Sequence, residues 1–209
     1  MADSKNKQPG TIATDGLPRH GRIPWFAPGD LDARGRALYD AITTGPRAAG
    51  RSSSMGNEEG RLYGPFNALF LDAEVGDALQ ELGAAIRYRS AIPAGLRELA
   101  IVQVASTLKC ETEWRAHSAI ARQLGVAEED LDAIQAGAEP VGLSEEEILV
   151  CRLTSSLVVH RDLTDEEFAS AESVLGLTVL GDLVFIAGYY STLATSMAAF
   201  RVPLAPGRE

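Results

Sequence analysis

In the run KCETEWRAHSAIARQLG (residues 109–125), Cys110, Glu113, Trp114 and His117 stand three and four residues apart. On a helix such positions share one face, so a thiol, a carboxylate, an indole and an imidazole form one stripe. Glu111, Arg115 and Arg122 fall off it. Glu113 and His117 are at i and i+4. A carboxylate there orients an imidazole and raises its basicity, which suits proton transfer near neutral pH. The same pair is also an ordinary stabilising contact on a solvated helix, and spacing alone leaves both readings open. Cys110 is either a pocket thiol or a small packing residue in an Ala-rich helix. Zinc would require three protein ligands in suitable geometry. A Cys, Glu and His stripe does not establish that, and no metal or cofactor is expected.

The elements that must position this stripe are helical. DLDARGRALYDAIT opens with Asp30 as the expected N-cap. GPRAAGRSSSMGNEEGRLYGP then breaks regularity, with a loop at 46–61. A helix is expected from Ala73 to Tyr88, followed by one that starts near Pro93 and is apolar enough to be buried. GVAEEDLDAIQAG reads as a short helix closed by Gly137. Ser144 with Glu147, and Thr164 with Glu167, have capping-box spacing. The last run, TVLGDLVFIAGYYSTLATSMAAF, is too long for a strand. No strand pair or hairpin is expected. The reading is an all-α fold of seven or eight helices in one domain at 30–204, after an irregular arm at 1–29 and before a tail at 205–209. Trp25 and Phe26 give the arm apolar anchors that could dock.

The composition bounds the partners. The chain has 209 residues, 45% hydrophobic and 23% charged, enough for a sizeable core. Asp plus Glu number 29 against 19 Lys plus Arg, a formal charge of -10. No basic stripe offers counterion release, so neither nucleic acid nor an anionic membrane is an expected partner. Two cysteines make no disulfide scaffold, and residues 1–20 lack the apolar core of a signal peptide. A reducing cytoplasm is the expected location. Apolar stretches are interrupted before 18 residues, so no membrane span is expected.

LRELAIVQVASTLKCETEWRAH, together with LYGPFNALF, IPAGLRELAI, EWRAHSAIARQLGV and GDLVFIAGYYSTLATSMAAFRVP, resembles the carboxymuconolactone decarboxylase family, which includes the alkyl hydroperoxidase D-like proteins. The likeness covers roughly Leu62 to Pro203. It implies an all-helical fold that assembles as a homo-trimer or homo-hexamer. The peroxidase branch carries Cys-x-x-Cys-x-x-x-His with a Glu twelve residues before the first Cys. Glu98, Cys110 and His117 occupy those places, but Glu113 stands where the second Cys would be. A dithiol relay needs a resolving thiol within reach; the departure therefore implies the decarboxylase-like branch and acid–base chemistry. A straight helix would put Glu98 roughly 28 Å from His117. A shared site thus requires the chain to turn, and STLKC (106–110) is the expected turn, with Ser106 and Thr107 bonding to local backbone.

The expected activity is a cofactor-free lyase acting on a small, anionic, carboxylated lactone or related oxygenated metabolite. His117 is the expected proton donor and acceptor. Glu113 would set its tautomer, and Glu98 would tune the site. Candidate substrate-contacting residues are Arg97, Cys110, Trp114, Tyr63, Phe66 and Tyr190. Arg97 could anchor an anion through its planar fork or face solvent at a helix start. Tyr63, Phe66 and Asn67 match a family segment associated with the pocket wall, or plug a helix start. Tyr190 could offer a hydroxyl or satisfy a carbonyl. Cys151 reads as core, His160 as a helix-end cation, His20 as solvated in the arm, and Gly188 as a site of close helix packing. Two other readings are open: a thiol-dependent peroxidase-like redox protein, and a non-catalytic oligomeric binding protein.

Overall fold

Ser144 and Glu147 show how the helices begin. The Glu147 amide donates to the Ser144 hydroxyl at 3.3 Å and the Glu147 carboxylate accepts the Ser144 amide at 2.9 Å, a reciprocal cap. Thr164 and Glu167 repeat it at 3.2 and 2.8 Å. Gly137, at φ +73°, closes its helix in the left-handed conformation. The computed structural model describes residues 14–45 and 55–206. Among them are eight α-helices: α1 (Ala33–Thr44), α2 (Phe66–Leu69), α3 (Ala73–Tyr88), α4 (Ala94–Thr107), α5 (Glu111–Gln123), α6 (Glu128–Ala136), α7 (Glu145–Val159) and α8 (Asp165–Phe200). The all-α reading holds. Residues 1–13, 46–54 and 207–209 of the expected arm, loop and tail lie outside the described residues.

The chain divides into two compact units. The described part of the first comprises 14–45, 55–81 and 200–203, and that of the second 82–199 and 204–206. In the first unit, β1 (Arg19–His20) pairs antiparallel with β2 (Ile23–Pro24). This corrects the expectation of no hairpin: two-residue strands are too short to show alternation in sequence. Gly21, at φ +68°, makes the turn, and a Cβ there would lie 2.3 Å from the Arg201 carbonyl oxygen. Phe26 joins a core with Leu38, Ile42, Leu62, Phe66, Leu69 and Phe70. The buried Asn67 amide ties the segment down, accepting from the Phe26 N–H at 3.0 Å and donating to the Pro24 carbonyl at 2.8 Å. Trp25 Nε1 donates to the Leu62 carbonyl at 2.9 Å. His20 is not solvated: it is buried and stacks on Trp25, with ring centroids 4.6 Å apart. Asp30 does not cap α1. It lies in a 3-10 turn (Pro28–Asp30), accepts the Ala27 N–H at 2.7 Å and pairs with Arg61. Asp32 caps α1 instead, accepting from the Gly35 N–H at 2.8 Å.

The second unit is organised on α4, which buries Leu96, Leu99, Ala100, Ile101, Val102, Val104 and Ala105 and packs against α5, α7 and α6. Its core joins Leu99, Val102 and Ala105 to Trp114, Ala121, Val126, Leu131, Ile134 and Cys151. In α8, Gly176 (φ 75°, ψ 159°) breaks the helix into two runs. Leu183, Ile186, Ala187, Tyr190, Leu193, Ala194 and Met197 recur at helical spacing on its buried face. Leu177, Val184 and Phe185 are exposed, and so is Gly188, where a Cβ would meet nothing within 4 Å, so the close packing expected there is not seen. By length and composition alone α8 is long and apolar enough to cross a membrane, because the interrupting Gly, Ser and Thr do not lower its mean hydropathy much; the core helix of a soluble protein meets the same description.

Candidate active site

The site depends on how α4 ends. Leu108 closes α4, and Lys109 adopts φ +52°. The Cys110 N–H then donates to the Ala105 carbonyl at 2.8 Å and the Lys109 N–H to the Ser106 carbonyl at 3.0 Å. This is the Schellman pattern, built on Lys where Gly is usual. The turn expected at 106–110 is present, but the backbone makes it. Ser106 Oγ bonds the distant Ile134 carbonyl at 2.7 Å rather than a local group, and Thr107 Oγ1 accepts from Gln103 Nε2 at 3.2 Å.

The reversal brings Glu98 of α4 against His117 of α5. His117 Nδ1 lies 2.6 Å from Glu98 Oε2, and His117 Nε2 lies 3.2 Å from Glu113 Oε2. Both ring nitrogens therefore face carboxylate oxygens, an arrangement that suits an imidazolium donating twice. Arg97 Nε sits 3.3 Å from Glu98 Oε1, and only 16% of the Arg97 side chain is exposed. Arg97 is thus mostly shielded from solvent and adds a bond to Glu98, which is wholly buried. The Tyr190 ring meets His117 edge-on with centroids 5.2 Å apart, and packs edge-on against Tyr189.

Burial alone disfavours a charged imidazole, but the hydrogen bonds from Glu113 and Glu98 outweigh it and raise His117 above its ordinary 6.5. For Glu98, burial would raise the carboxyl. The His117 hydrogen bond and the charges of His117, Arg87 and Arg97 prevail and lower it below 4.5. Burial pushes the Cys110 thiol up to about 11, despite backbone N–H groups of Glu113 and Thr112. Burial likewise pushes the Tyr190 hydroxyl up. At neutral pH the site holds a thiol, not a thiolate, and a proton shared by an imidazole and two carboxylates.

The structure thus brings together Glu98, Glu113, His117, Arg97 and Tyr190, all in the second unit, with Cys110 at the N-cap of α5, three residues before Glu113. Trp114 is taken up by the core. Tyr63 and Phe66 belong to the first unit, where Tyr63 lies 5.6 Å from the Trp25 ring and Phe66 joins the core around Phe70. Glu98 holds the closer contact to the imidazole, at 2.6 Å against 3.2 Å for Glu113. Sequence reasoning missed Arg87, whose charge acts on Glu98, Glu113 and Tyr190. A signal existed: Gly83, Ile86, Arg87 and Ser90 recur at helical spacing, and none is exposed. A separate cleft of about 460 Å³, lined by Gln103, Lys109, Glu139, Cys151 and Arg152 among others, includes none of these charged site residues. Among the described residues no group of three or more His, Cys, Asp or Glu side chains is arranged to hold a metal ion.

Residues 73–155 match the Carboxymuconolactone decarboxylase family. Three solved structures share the fold. An AhpD-core, uncharacterized peroxidase-related protein from Ralstonia eutropha JMP134 aligns with a TM-score of 0.72 at 13% identity, over 92% of this chain and 96% of the other. An uncharacterized peroxidase-related protein from Silicibacter sp. TM1040 aligns with a TM-score of 0.68 at 13% identity, over 93% and 96%. A protein of unknown function from Agrobacterium tumefaciens aligns with a TM-score of 0.60 at 13% identity, over 66% and 96%. No curated protein matches the chain.

Proposed function

We propose that this chain, whose residues 73–155 match the Carboxymuconolactone decarboxylase family, is a cofactor-free acid–base lyase acting on a small carboxylated lactone or related oxygenated metabolite. The observation that carries this reading is the buried imidazole of His117 held between two carboxylates, at 2.6 Å from Glu98 and 3.2 Å from Glu113. In decarboxylation the bond from carbon to the carboxylate breaks, its electron pair passes into the conjugated enolate, and CO2 leaves. A proton must then reach carbon. His117 supplies it from Nε2, the side with the longer and looser bond. Glu98, on Nδ1, fixes the ring and its tautomer. Glu113 returns the proton to the imidazole from solvent. Positioned proton transfer of this kind is worth about 10²–10⁴-fold.

A thiol peroxidase reading is disfavoured by the chemistry of Cys110, whose thiol at about 11 is almost wholly protonated at neutral pH. The exposed Leu177, Val184 and Phe185 on α8 support a homo-oligomer, since such a surface favours cover by another protein face. The test uses carboxymuconolactone as substrate and follows CO2 release. His117→Ala loses at least about 10²-fold in rate with its circular dichroism unchanged, while Cys110→Ser keeps most of the activity. A His117→Ala protein that turns over at the wild-type rate removes the mechanism, and peroxide consumption that depends on Cys110 replaces it.

A further inference from the structure

Arg87 lies in the last turn of α3, in the same unit as the site. Its Nε is buried and makes no hydrogen bond. A buried guanidinium donor left idle is costly, and proteins seldom keep one without use. The guanidinium carbon sits 5.9 Å from the centroid of the Tyr88 ring, a cation–π distance that holds the group in place without occupying its N–H donors. Tyr190, Glu98 and Glu113 all lie within reach of its charge. Tyr190 is the residue whose ring edges His117.

The charges around His117 do not balance. Glu98 and Glu113 are two anions. Arg97 and an imidazolium at His117 already match them: Arg97 Nε lies 3.3 Å and His117 Nδ1 lies 2.6 Å from Glu98. Arg87 adds a third cation. A buried site with one positive charge over, and one donor without an acceptor, is complete only when an anion enters it.

We propose that Arg87 is the anion-receiving residue of the site, donating from its free Nε to a negatively charged oxygen of the bound molecule beside His117. This rests on the acid–base reading above. Arg97, the candidate anchor by sequence, directs its Nε to Glu98. The anionic oxygen is either a carboxylate or the oxygen of an enolate. A cation on the departing carboxylate would stabilise the ground state and slow its loss, whereas one on the enolate oxygen stabilises the developing charge.

Two probes separate these sources: benzoate for a carboxylate, and 4-nitrophenolate for a delocalised oxyanion. Each is titrated calorimetrically into wild type, Arg87→Met, Arg87→Lys and Arg97→Met, while the His117 ring resonances are followed by NMR across pH. Arg87→Met weakens at least one probe by about ten-fold or more, the worth of one charge-assisted hydrogen bond. Arg87→Lys, which keeps the charge and the fold, falls between it and wild type. Arg97→Met weakens binding less. The probe more affected identifies the oxygen. Unchanged affinity in Arg87→Met for both probes, or no binding of either probe to wild type, overturns the inference while an elevated His117 titration leaves the acid–base reading standing. A His117 that titrates at its ordinary 6.5 in wild type sinks that reading instead, whatever Arg87 does. Should Arg87→Met fail to fold, Arg87→Lys against Arg87→Gln gives the same comparison.

Discussion

His20 and His117 are each 3% exposed, yet their surroundings drive them apart. His20, in the first unit, stacks flat on Trp25 at 4.6 Å and lies 6.3 Å from Tyr63. Its Nε2 is buried with no hydrogen-bond partner. Burial alone acts there, and it lowers the pKa. His117, in the second unit, has a carboxylate oxygen at each ring nitrogen, and its pKa is raised. Equal burial gives opposite titration because the sign is set by charged partners, not by depth. The first histidine is kept neutral by burial; the second is kept protonated by its two carboxylates.

Removing the partner breaks the comparison most severely. Glu98→Gln deprives the imidazolium of its closest counterion and leaves Arg97 unpaired as well. Loss of one partner from a buried ion pair costs about 3 kcal/mol or more. Urea unfolding at pH 6 reads this directly, and a Glu98→Gln protein as stable as wild type would show that Glu98 does not hold the charge on His117.

The same contrast sets the pH dependence of stability. His117 titrates higher in the folded chain than its unfolded 6.5. Its contribution is therefore complete below 6.5 and is lost as pH rises through the folded value. Glu98, lowered below 4.5, contributes above 4.5 and loses that contribution as pH falls through its folded value. Between those limits the pair is at its strongest. His20 runs the other way: with a folded value below 6.5, its contribution is present above 6.5 and lost as pH falls. Thermal melts from pH 4 to pH 9 test the assignment. His117→Phe flattens the alkaline limb, and His20→Phe flattens part of the acid limb. A profile unchanged by either variant would assign the limb to other groups.

Much of this was legible in the residues. The capping boxes at Ser144 and Thr164, the helix from Ala73 to Tyr88 and the Gly137 stop follow from local chemistry, which is short-range and needs no tertiary knowledge. The i,i+4 pair Glu113 and His117 is local in the same sense. Glu98 was legible only through the family's spacing, because its contact with His117 crosses a turn. The contact of Arg97 with Glu98 was not legible, because it depends on the burial of Glu98, which a linear pattern does not reveal. Arg87 lies on a helical stripe that was legible, but its electrostatic reach to Glu98, Glu113 and Tyr190 crosses to other helices, and the stacking of His20 on Trp25 follows no periodic pattern.

His20→Phe also sharpens the comparison at constant pH. It keeps an aromatic ring against Trp25 and removes the buried nitrogen that has no partner. Replacing an unsatisfied polar group by an apolar one of like shape is neutral to stabilising, so the variant is expected within about 1 kcal/mol of wild type, on the stable side. The equivalent His117→Phe is destabilising, because it strands two carboxylates. Guanidinium unfolding of both variants checks the difference in sign; a destabilised His20→Phe would mean that the imidazole nitrogen has an acceptor, such as a bound water.

The smallest effect concerns the turn on which the site depends. Lys109 holds φ +52°, a conformation that costs an L-residue roughly 1 kcal/mol and glycine almost nothing. Lys109→Gly relieves that cost but loosens the unfolded chain, so the net gain is about 1 kcal/mol at most. The two hydrogen bonds that close the turn come from the backbone, and the substitution leaves them in place. His117 therefore keeps its raised titration, because Glu98 is still delivered to it. If Lys109→Gly instead lowers the His117 titration toward 6.5, the lysine side chain, and not the Schellman turn alone, sets the separation of α4 and α5 at the site.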